Sequence, residues 1–445
     1  MLKKIVKSVS ILISIILLIN LFACSQGILQ KLSPQSSCSK FEKTKFYKQL
    51  RAIPEIVKIK PAEKDSGFQE VWEVFFEQPI DHDNPEKGTF TQQVFIGHKA
   101  YDRPVVFVTA GYSVSKLADR ELADILNANQ VMVEHRYFED SQPDSMDWQY
   151  MNTVQAAADH HKILQALKKI YPGKWVNTGI SKGGQTTLLF KSHYPDDVAA
   201  TVAYVAPLNH SQEDQRIIDF FNRIGTAEER EKLQTFIKLA LTHRAEIVPR
   251  FKWYCKGKDY NFSYANYEKA FEYAILEFPY IYWQWDKIKL DSIPLNTSNP
   301  DSILQPIVDS GSMKWYTDET LKGPSMYQFA TQLGYYGELD DAYPFDTLFS
   351  CSDYSYPFFA GDTTLKYDPK PMNRLENWLE ENGDNIIYIY GEEDPWGATG
   401  PEPSDKVNAI KKVLKGGDHS TRIKDLEKED QEEVISTLKK WLELE

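Results

Sequence analysis

The sequence predicts an α/β fold of the α/β-hydrolase type, a mostly parallel sheet flanked by helices with an inserted, mainly helical cap. The first observation is Ser181, which stands between Gly179 and Gly183 where an extended apolar run changes into a helix-like run. Such a strand–serine–helix turn is a nucleophile elbow, which holds the hydroxyl above the sheet edge near the first N–H groups of the helix. Apolar and helix-like runs also alternate between residues 104 and 205, and the alternation resumes near residue 385.

Composition limits the classes of function. The chain has 445 residues, of which 42% are hydrophobic, so it is long and apolar enough for a large globular fold. Its formal net charge of −13 argues against a general nucleic-acid binder, which needs a basic stripe. Peptides and neutral small molecules are easier substrates. No cysteines or histidines have metal-site spacing, and we expect no cofactor.

The N-terminus has the pattern of an export signal. Three lysines precede an apolar run, Ile11–Ala23, which ends before Cys24. The run is short for a spanning helix, and a small residue before a cysteine resembles a bacterial lipobox. We therefore expect a lipoprotein signal peptide over residues 1–23, lipid on Cys24, a tether over residues 24–45, and an exported, membrane-anchored protein of the cell envelope that faces the periplasm or the surface. An ordinary signal peptide cut nearby, or an uncleaved anchor, is the alternative.

The sheet core is predicted over residues 46–209 and 371–445. It begins with a hairpin of two strand-like runs joined by a turn-rich segment, and continues with apolar runs typical of strands buried on both faces. The predicted strands are Gln69–Gln78, Thr89–Ile96, Pro104–Thr109, Gln130–Glu134, Trp175–Thr178, Val198–Val205 and Asn385–Tyr390. The predicted helices are Leu117–Asn127, Val154–Tyr171, Thr186–His193 and Asp425–Leu444. The segment Ser404–Leu414 reads as a helix or as a helix plus a short strand.

Residues 210–370 form the predicted cap. Helix-like runs at Ile217–Phe221 and Ala227–His243 are followed by an aromatic-rich stretch, Trp253–Trp285, without the signals of buried strands. We expect most of these aromatic side chains to pack in the core of the cap, because aromatic residues dominate cores by area. Cys255 and Cys351 both lie in the cap and are the preferred disulfide pair in an oxidising envelope.

A serine nucleophile needs a histidine base, which follows it in the α/β-hydrolase order of serine, acid and histidine. Four histidines follow Ser181. His193 lies about 16 Å away along the elbow helix, which is too far. His210 has no acid site before it after the nucleophile, and His243 falls on a cap helix. His419 occupies a polar, glycine-rich loop before the final helix and is the predicted base.

The acid should lie directly after a late strand. Asp394 follows the Asn385–Tyr390 strand and is the predicted acid, because a glycine and a proline place it on a fixed turn. Glu392 and Glu393 are its rivals. The sequence therefore predicts a serine hydrolase whose triad is Ser181, Asp394 and His419.

An oxyanion hole requires two donors near the nucleophile. The N–H of Lys182 follows the serine directly, and the N–H of Tyr112 lies in the loop after the Pro104–Thr109 strand, where Gly111 allows close approach. We expect the side chain of Lys182 to be solvated rather than catalytic.

Several stretches together resemble the secreted bacterial tripeptidyl aminopeptidases, family thirty-seven of the serine peptidases. The stretches are Val108–Tyr112, Val133–Phe138, Thr178–Gly184 and Val202–Pro207, and Gly391–Trp396 and Gly417–His419 match the acid and base regions. The resemblance implies release of tripeptides from free N-termini, often after proline, with Ser181, Asp394 and His419 as triad. The element at residues 134–137 is also similar to prolyl-specific lysosomal-type carboxypeptidases and dipeptidyl peptidases. The lipobox departs from the family pattern.

An enzyme that counts residues from an N-terminus must bind the substrate ammonium at a fixed distance from the serine, and a desolvated carboxylate is its natural partner. Glu134, at the end of a strand next to the elbow strand, is one candidate, and a cap carboxylate is another. The alternative for Glu134 is structural support through Arg136 or Arg120.

Two other functions fit the same pattern. An esterase or lipase shares the fold, because fold alone does not separate ester from amide substrates. A surface lipoprotein that captures peptides with an inactive hydrolase fold is the non-enzymatic alternative. Labelling of Ser181 by a fluorophosphonate would indicate an enzyme, whereas the absence of an adduct would favour the inactive lipoprotein.

Overall fold

The computed structural model describes residues 44–63, 67–118, 120–285, 288–337, 348–350 and 354–444. The chain divides into two units, residues 1–54 and 55–445. The described part of the first unit contains helix α1 (Lys45–Arg51), whose first turn is capped by the Thr44 hydroxyl, which accepts the N–H of Tyr47 at 3.1 Å. Cys24, the predicted signal peptide and nearly all of the predicted tether lie outside the described residues.

Nine strands form one sheet in the described part of the second unit. They are β1 (Ile56–Pro61), β2 (Glu70–Pro79), β3 (Thr89–His98), β4 (Val105–Thr109), β5 (Asn129–Val133), β6 (Trp175–Ile180), β7 (Ala200–Tyr204), β8 (Ile386–Gly391) and β9 (Ala409–Leu414). Their order is β1-β2-β3-β5-β4-β6-β7-β8-β9. The pairs β1–β2, β2–β3 and β3–β5 are antiparallel, and β2 and β3 form the predicted hairpin. The remaining pairs, from β5–β4 across the sheet to β8–β9, are parallel. The mostly parallel sheet of an α/β-hydrolase is thus confirmed.

Helices cover the sheet and fill the insertion between β7 and β8. Those of the sheet region are α2 (Glu121–Ile125), α3 (Thr153–Lys168) and α4 (Lys182–His193), followed after the insertion by α12 (Lys370–Asn382) and α13 (Lys428–Trp441). The insertion contains α5 (Gln215–Phe221), α6 (Ala227–Thr242), α7 (Arg244–Gly257), α8 (Tyr267–Trp285), α9 (Pro300–Ser310), α10 (Asp318–Leu321) and α11 (Pro324–Gln328), and a short left-handed turn at Phe358–Gly361. No helix in these described ranges is both long and apolar enough to cross a membrane.

The insertion packs onto one end of the sheet. Its buried side chains, such as Phe221 and Phe278, belong to the same apolar cluster as Leu188 of α4 and Tyr390 of β8. A second cluster, on the other face, joins the sheet to α2 and α13 through side chains such as Val434. Burial of the apolar side chains of the strands beneath the helices is the main driving force for this architecture.

Three expectations are corrected. Ser404–Leu414 contains no helix but the strand β9, because pairing with β8 over six residue positions overrides local preference at this sheet edge. Of the described residues in Leu117–Asn127, only Glu121–Ile125 is helical. Cys255 carries a free thiol buried in the apolar core of the insertion, rather than a disulfide, and Cys351 lies outside the described residues.

Candidate active site

The turn between β6 and α4 holds Ser181 in a strained backbone conformation. Its φ of 58° and ψ of −126° are unusual for a residue with a side chain, and its N–H donates to the carbonyl of Tyr204 at 2.9 Å. A Cβ atom on Gly179 would lie 2.0 Å from the carbonyl oxygen of Gly183, so the turn needs glycine there. The Ser181 side chain does not cap α4, so its hydroxyl is available to a base.

Asp394 and His419 are in direct contact. The Oδ2 atom of Asp394 accepts a hydrogen bond from Nδ1 of His419 at 2.8 Å, and its Oδ1 atom accepts from the N–H of Trp396 at 3.1 Å. Both side chains are buried, with 0% and 2% of their surface exposed. Because Nδ1 is occupied by the carboxylate, Nε2 is the ring nitrogen left to remove a proton.

Tertiary contacts hold the loop of His419 in place. A Cβ atom on Gly391 would lie 2.3 Å from the carbonyl oxygen of Gly417, so the acid loop and the base loop touch backbone to backbone. On the other side, the N–H of His419 donates to the carbonyl of Gln284 at 3.1 Å, and the indole of Trp285 meets the imidazole edge to face at 5.1 Å. The last turn of α8 therefore supports the histidine.

The sheet brings all three predicted residues to one edge. Ser181 follows β6, Asp394 follows β8 and His419 follows β9. These strands are parallel, with β7 between β6 and β8, so their carboxyl ends share an edge. Ligands and catalytic groups collect at this edge in open α/β sheets. A serine, a histidine and a carboxylate at one sheet edge are the groups that nucleophilic catalysis by serine requires.

Two of the rival residues, Glu392 and His210, have partners outside the predicted triad. Glu392 is exposed and accepts the N–H of Gly416 at 2.9 Å. The Nε2 atom of His210 lies 2.9 Å from a carboxylate oxygen of Glu376. His193 ends α4, the helix that begins after Ser181, as its sequence position predicts. Asp394 is the carboxylate that holds His419.

The predicted oxyanion donors lie beside the elbow. A Cβ atom on Gly111 would be 2.5 Å from the nitrogen of Gly183 and 2.7 Å from the carbonyl carbon of Lys182, so the loop after β4 lies against the first turn of α4. Lys182 is the first residue of that helix, and Tyr112 follows Gly111 in the loop. Their N–H groups remain predicted donors for a developing oxyanion.

The expectation of a solvated Lys182 side chain is wrong. Only 1% of the residue is exposed, and its Nζ atom donates to the carbonyl oxygen of Gly111 at 2.7 Å. The ammonium also lies 5.5 Å from the ring centre of Tyr112 and 5.6 Å from that of Phe138. Burial lowers the pKa of Lys182 to about 7. In the sequence, the only feature that pointed to Lys182 is its position directly after Ser181.

Glu134 has different partners from those expected. Its carboxylate accepts the N–H of Val114 at 2.9 Å and the hydroxyl of Ser141 at 2.7 Å, rather than pairing with Arg136 or Arg120. Burial raises its pKa to about 7, against the effect of these hydrogen bonds. Binding of a substrate ammonium by Glu134 stays a prediction, and the carboxylate would have to exchange one internal hydrogen bond to perform it.

Arg136, two residues after Glu134, connects several segments of the fold, and the sequence did not predict this role. Its guanidinium is fully buried and makes two hydrogen bonds to Asp159, at 2.7 and 2.9 Å. It also donates to the backbone carbonyls of Pro79, Ile80 and Tyr150. Burial of such a cation requires this full set of acceptors.

Across the described ranges, no group of three or more His, Cys, Asp or Glu side chains is arranged to hold a metal ion.

Three buried aromatic side chains of the insertion pack together with Trp396 of the acid loop and form an aromatic wall with it. We use this name for Tyr280, Tyr335, Tyr336 and Trp396, whose rings lie in consecutive contact with centre-to-centre distances of 3.8 to 5.2 Å. Behind it, Glu277 of α8 accepts the hydroxyl of Tyr336 at 2.7 Å, and burial raises its pKa to about 8. The density of aromatic residues in the sequence predicted that they would pack together. It did not predict that some of these rings would contact the loop that carries Asp394.

The chain is similar to known peptidases. Residues 43–413 match the family model described as PS-10 peptidase S37. The prolyl tri/tetrapeptidyl aminopeptidase of Streptomyces mobaraensis is 33% identical over 376 residues, covering 82% of this chain and 79% of that protein. The lysosomal Pro-X carboxypeptidase of Mus musculus is 28% identical over 156 residues, covering 30% of this chain and 32% of that protein.

A solved structure of proline iminopeptidase from Mycobacterium smegmatis is similar at 13% identity, with a TM-score of 0.39 over 83% of this chain and 98% of that one. That score is too low to carry an argument about function. The fold assignment rests on the sheet order and strand directions of the chain itself.

Proposed function

Because the chain belongs to the PS-10 peptidase S37 family and is a serine peptidase, we propose that it releases tripeptides from the free N-termini of peptides or proteins. The observation that carries the proposal is the buried Asp394–His419 pair at the sheet edge that also carries Ser181. The relative from Streptomyces mobaraensis, whose name describes a prolyl tri/tetrapeptidyl aminopeptidase, supports the same activity.

In the proposed reaction, Ser181 Oγ attacks the carbonyl carbon of the third residue while Nε2 of His419 takes the hydroxyl proton. Asp394 keeps the imidazole in the required tautomer and stabilises its protonated form. The N–H groups of Lys182 and Tyr112 bind the oxyanion. The C–N bond then breaks, the leaving amine receives the proton from His419, and water releases the tripeptide from the acyl-enzyme by the same steps.

We propose that the enzyme favours proline next to the cleaved bond. The names of the relatives support a preference for proline.

Product analysis tests the exopeptidase proposal. A peptide with proline as third residue is incubated with the enzyme in two forms, one with a free and one with an acetylated N-terminus. Mass spectrometry should show a tripeptide and the shortened peptide from the free form alone, and Ser181→Ala should show neither. Cleavage of both forms would indicate an endopeptidase, and turnover of p-nitrophenyl esters without any peptide cleavage would indicate an esterase.

We also propose that the protein is exported and anchored by lipid on Cys24. The support is the sequence alone: a basic N-terminal segment, a short apolar run and a small residue before the cysteine. Expression with an alkyne fatty acid should label the wild-type protein in the membrane fraction, whereas Cys24→Ser should lose the label. An unlabelled wild-type protein that is found in the medium would refute the anchor.

A further inference from the structure

Lys182 presents a feature that the triad does not use. Its ammonium is buried, and burial alone lowers its pKa, without an opposing effect from a carboxylate. Its hydrogen bond to Gly111 is made to a backbone carbonyl, at 2.7 Å, between two aromatic rings. A buried ammonium with so little compensation is unfavourable for folding, so a position that keeps one beside the nucleophile calls for a specific role.

The acceptor of this hydrogen bond is part of the oxyanion hole itself. The carbonyl of Gly111 and the N–H of Tyr112 belong to the same peptide group, and the described chain contains no cis peptide bond. In a trans peptide the C=O and N–H bonds point in opposite directions. Because the oxygen is directed at Nζ of Lys182, the N–H of Tyr112 is directed away from this buried ammonium.

The neighbouring contacts leave this N–H group little freedom. The carbonyl of Tyr112 accepts the N–H of His135 at 3.2 Å, so the peptide groups on both sides of the Tyr112 Cα atom are held by hydrogen bonds at their oxygens. Gly111 lies so close to the first turn of α4 that a methyl group there would collide with Gly183. The loop is therefore held closely against the elbow.

We propose that Lys182 is a positioning residue for the oxyanion hole: its ammonium orients and polarises the Gly111–Tyr112 peptide so that the Tyr112 N–H is a fixed, strong donor. When Lys182 is protonated, its charge-assisted hydrogen bond to the carbonyl oxygen also strengthens the N–H of the same amide as a donor. Lys182 thus contributes one donor through its own backbone and prepares the other through its side chain. The inference rests on the proposed serine peptidase function.

Lys191 provides a matched control on the same helix. It is also buried, with 7% of its surface exposed, and its Nζ atom donates to the backbone carbonyls of Pro195 at 2.7 Å and Val198 at 3.2 Å. These carbonyls follow the C-terminal end of α4, away from Ser181. Removal of its ammonium has the same kind of effect on the fold without touching the elbow.

The test compares Lys182→Met and Lys191→Met by kcat and KM on a tripeptide anilide, by the rate of fluorophosphonate labelling at Ser181, and by thermal unfolding. Loss of one oxyanion donor lowers kcat by about 10²- to 10³-fold, and a donor that is only misoriented should lose about 10- to 100-fold. We expect this loss in kcat for Lys182→Met, with KM within about twofold and labelling slowed in parallel. Lys191→Met should keep wild-type kcat and labelling.

Lys182→Gln supplies the second readout, because its amide N–H can donate to the same carbonyl without charge. It should recover part of the kcat that Lys182→Met loses. Wild-type kcat and labelling rate in folded Lys182→Met would overturn the inference. If the methionine variant does not fold, wild-type kcat in folded Lys182→Gln would overturn the polarising role of the charge. A wild-type enzyme that fails to label at Ser181 would instead refute the proposed function, so the two failures are distinguishable.

Discussion

The pH dependence of stability at Glu277 is the sharpest quantitative consequence of the structure. This carboxylate on α8 is 1% exposed and accepts hydrogen bonds from the hydroxyls of Tyr316 at 3.0 Å and Tyr336 at 2.7 Å. No cation opposes the effect of burial, which raises its pKa from 4.5 to about 8. The perturbation is Glu277→Gln, which replaces the carboxylate with a neutral group of nearly the same shape.

The sign and size follow from linkage. Below pH 4.5 the carboxyl group is protonated in both the folded and the unfolded state, so its titration does not change stability with pH. Between pH 4.5 and 8 the unfolded state loses the proton while the folded state keeps it, so stability falls as pH rises, by about 1.4 kcal/mol per pH unit. Above pH 8 the full difference between a pKa of 4.5 and one of about 8 corresponds to about 5 kcal/mol.

Equilibrium urea denaturation at pH 5, 7 and 9 measures the free energy of unfolding of the variant and of the wild type. The contributions of all other titrating groups cancel in the difference between the two. Glu277→Gln should have a stability close to the wild type at pH 5 and be more stable at pH 9 by several kcal/mol. Glu381→Gln, whose side chain is 67% exposed, should show no such dependence on pH. A wild-type curve parallel to that of Glu277→Gln across this range would refute the reasoning.

Three further predictions concern the site and its support. Asp394→Asn should lower kcat by about 10⁴-fold with little change in thermal stability, because the amide favours the wrong tautomer of His419, and a loss below tenfold in steady-state kinetics would contradict the triad. Gly391→Ala should lower kcat at least about 10²-fold, since its methyl group would lie 2.3 Å from the Gly417 carbonyl and displace the base loop, and unchanged kinetics would show that the loop adapts. Arg136→Met should destabilise the fold by about 3–5 kcal/mol in urea denaturation, because it removes two of the three hydrogen bonds of the buried Asp159 carboxylate, while the kcat of the folded fraction stays at the wild-type value.

The contrast between Asp394 and Lys182 shows how far local sequence reasoning reaches in this chain. Asp394 was predicted from its place after a buried strand, and the structure pairs it with His419 across 25 positions of sequence. Lys182 was expected in solvent, since lysine is almost never buried. Its burial depends on the loop after β4, which lies 71 residues earlier in the chain. The strand β9 was misjudged for a related reason, because its conformation is set by pairing with β8 and not by its own residues.

Periodicity, turn residues and the order of polar groups along the chain determined the parallel sheet, the elbow at Ser181 and the choice of Asp394 and His419, because these depend on residues close together in sequence and on strand ends that meet at one edge. Only the tertiary structure decided which polar groups are buried and what they touch: Lys182 on the Gly111 carbonyl, Glu134 on Val114 and Ser141, and Glu277 among tyrosines. Desolvation and hydrogen bonding, which set the charge state of such groups, arise from segments that are distant in sequence and become neighbours only in the folded chain.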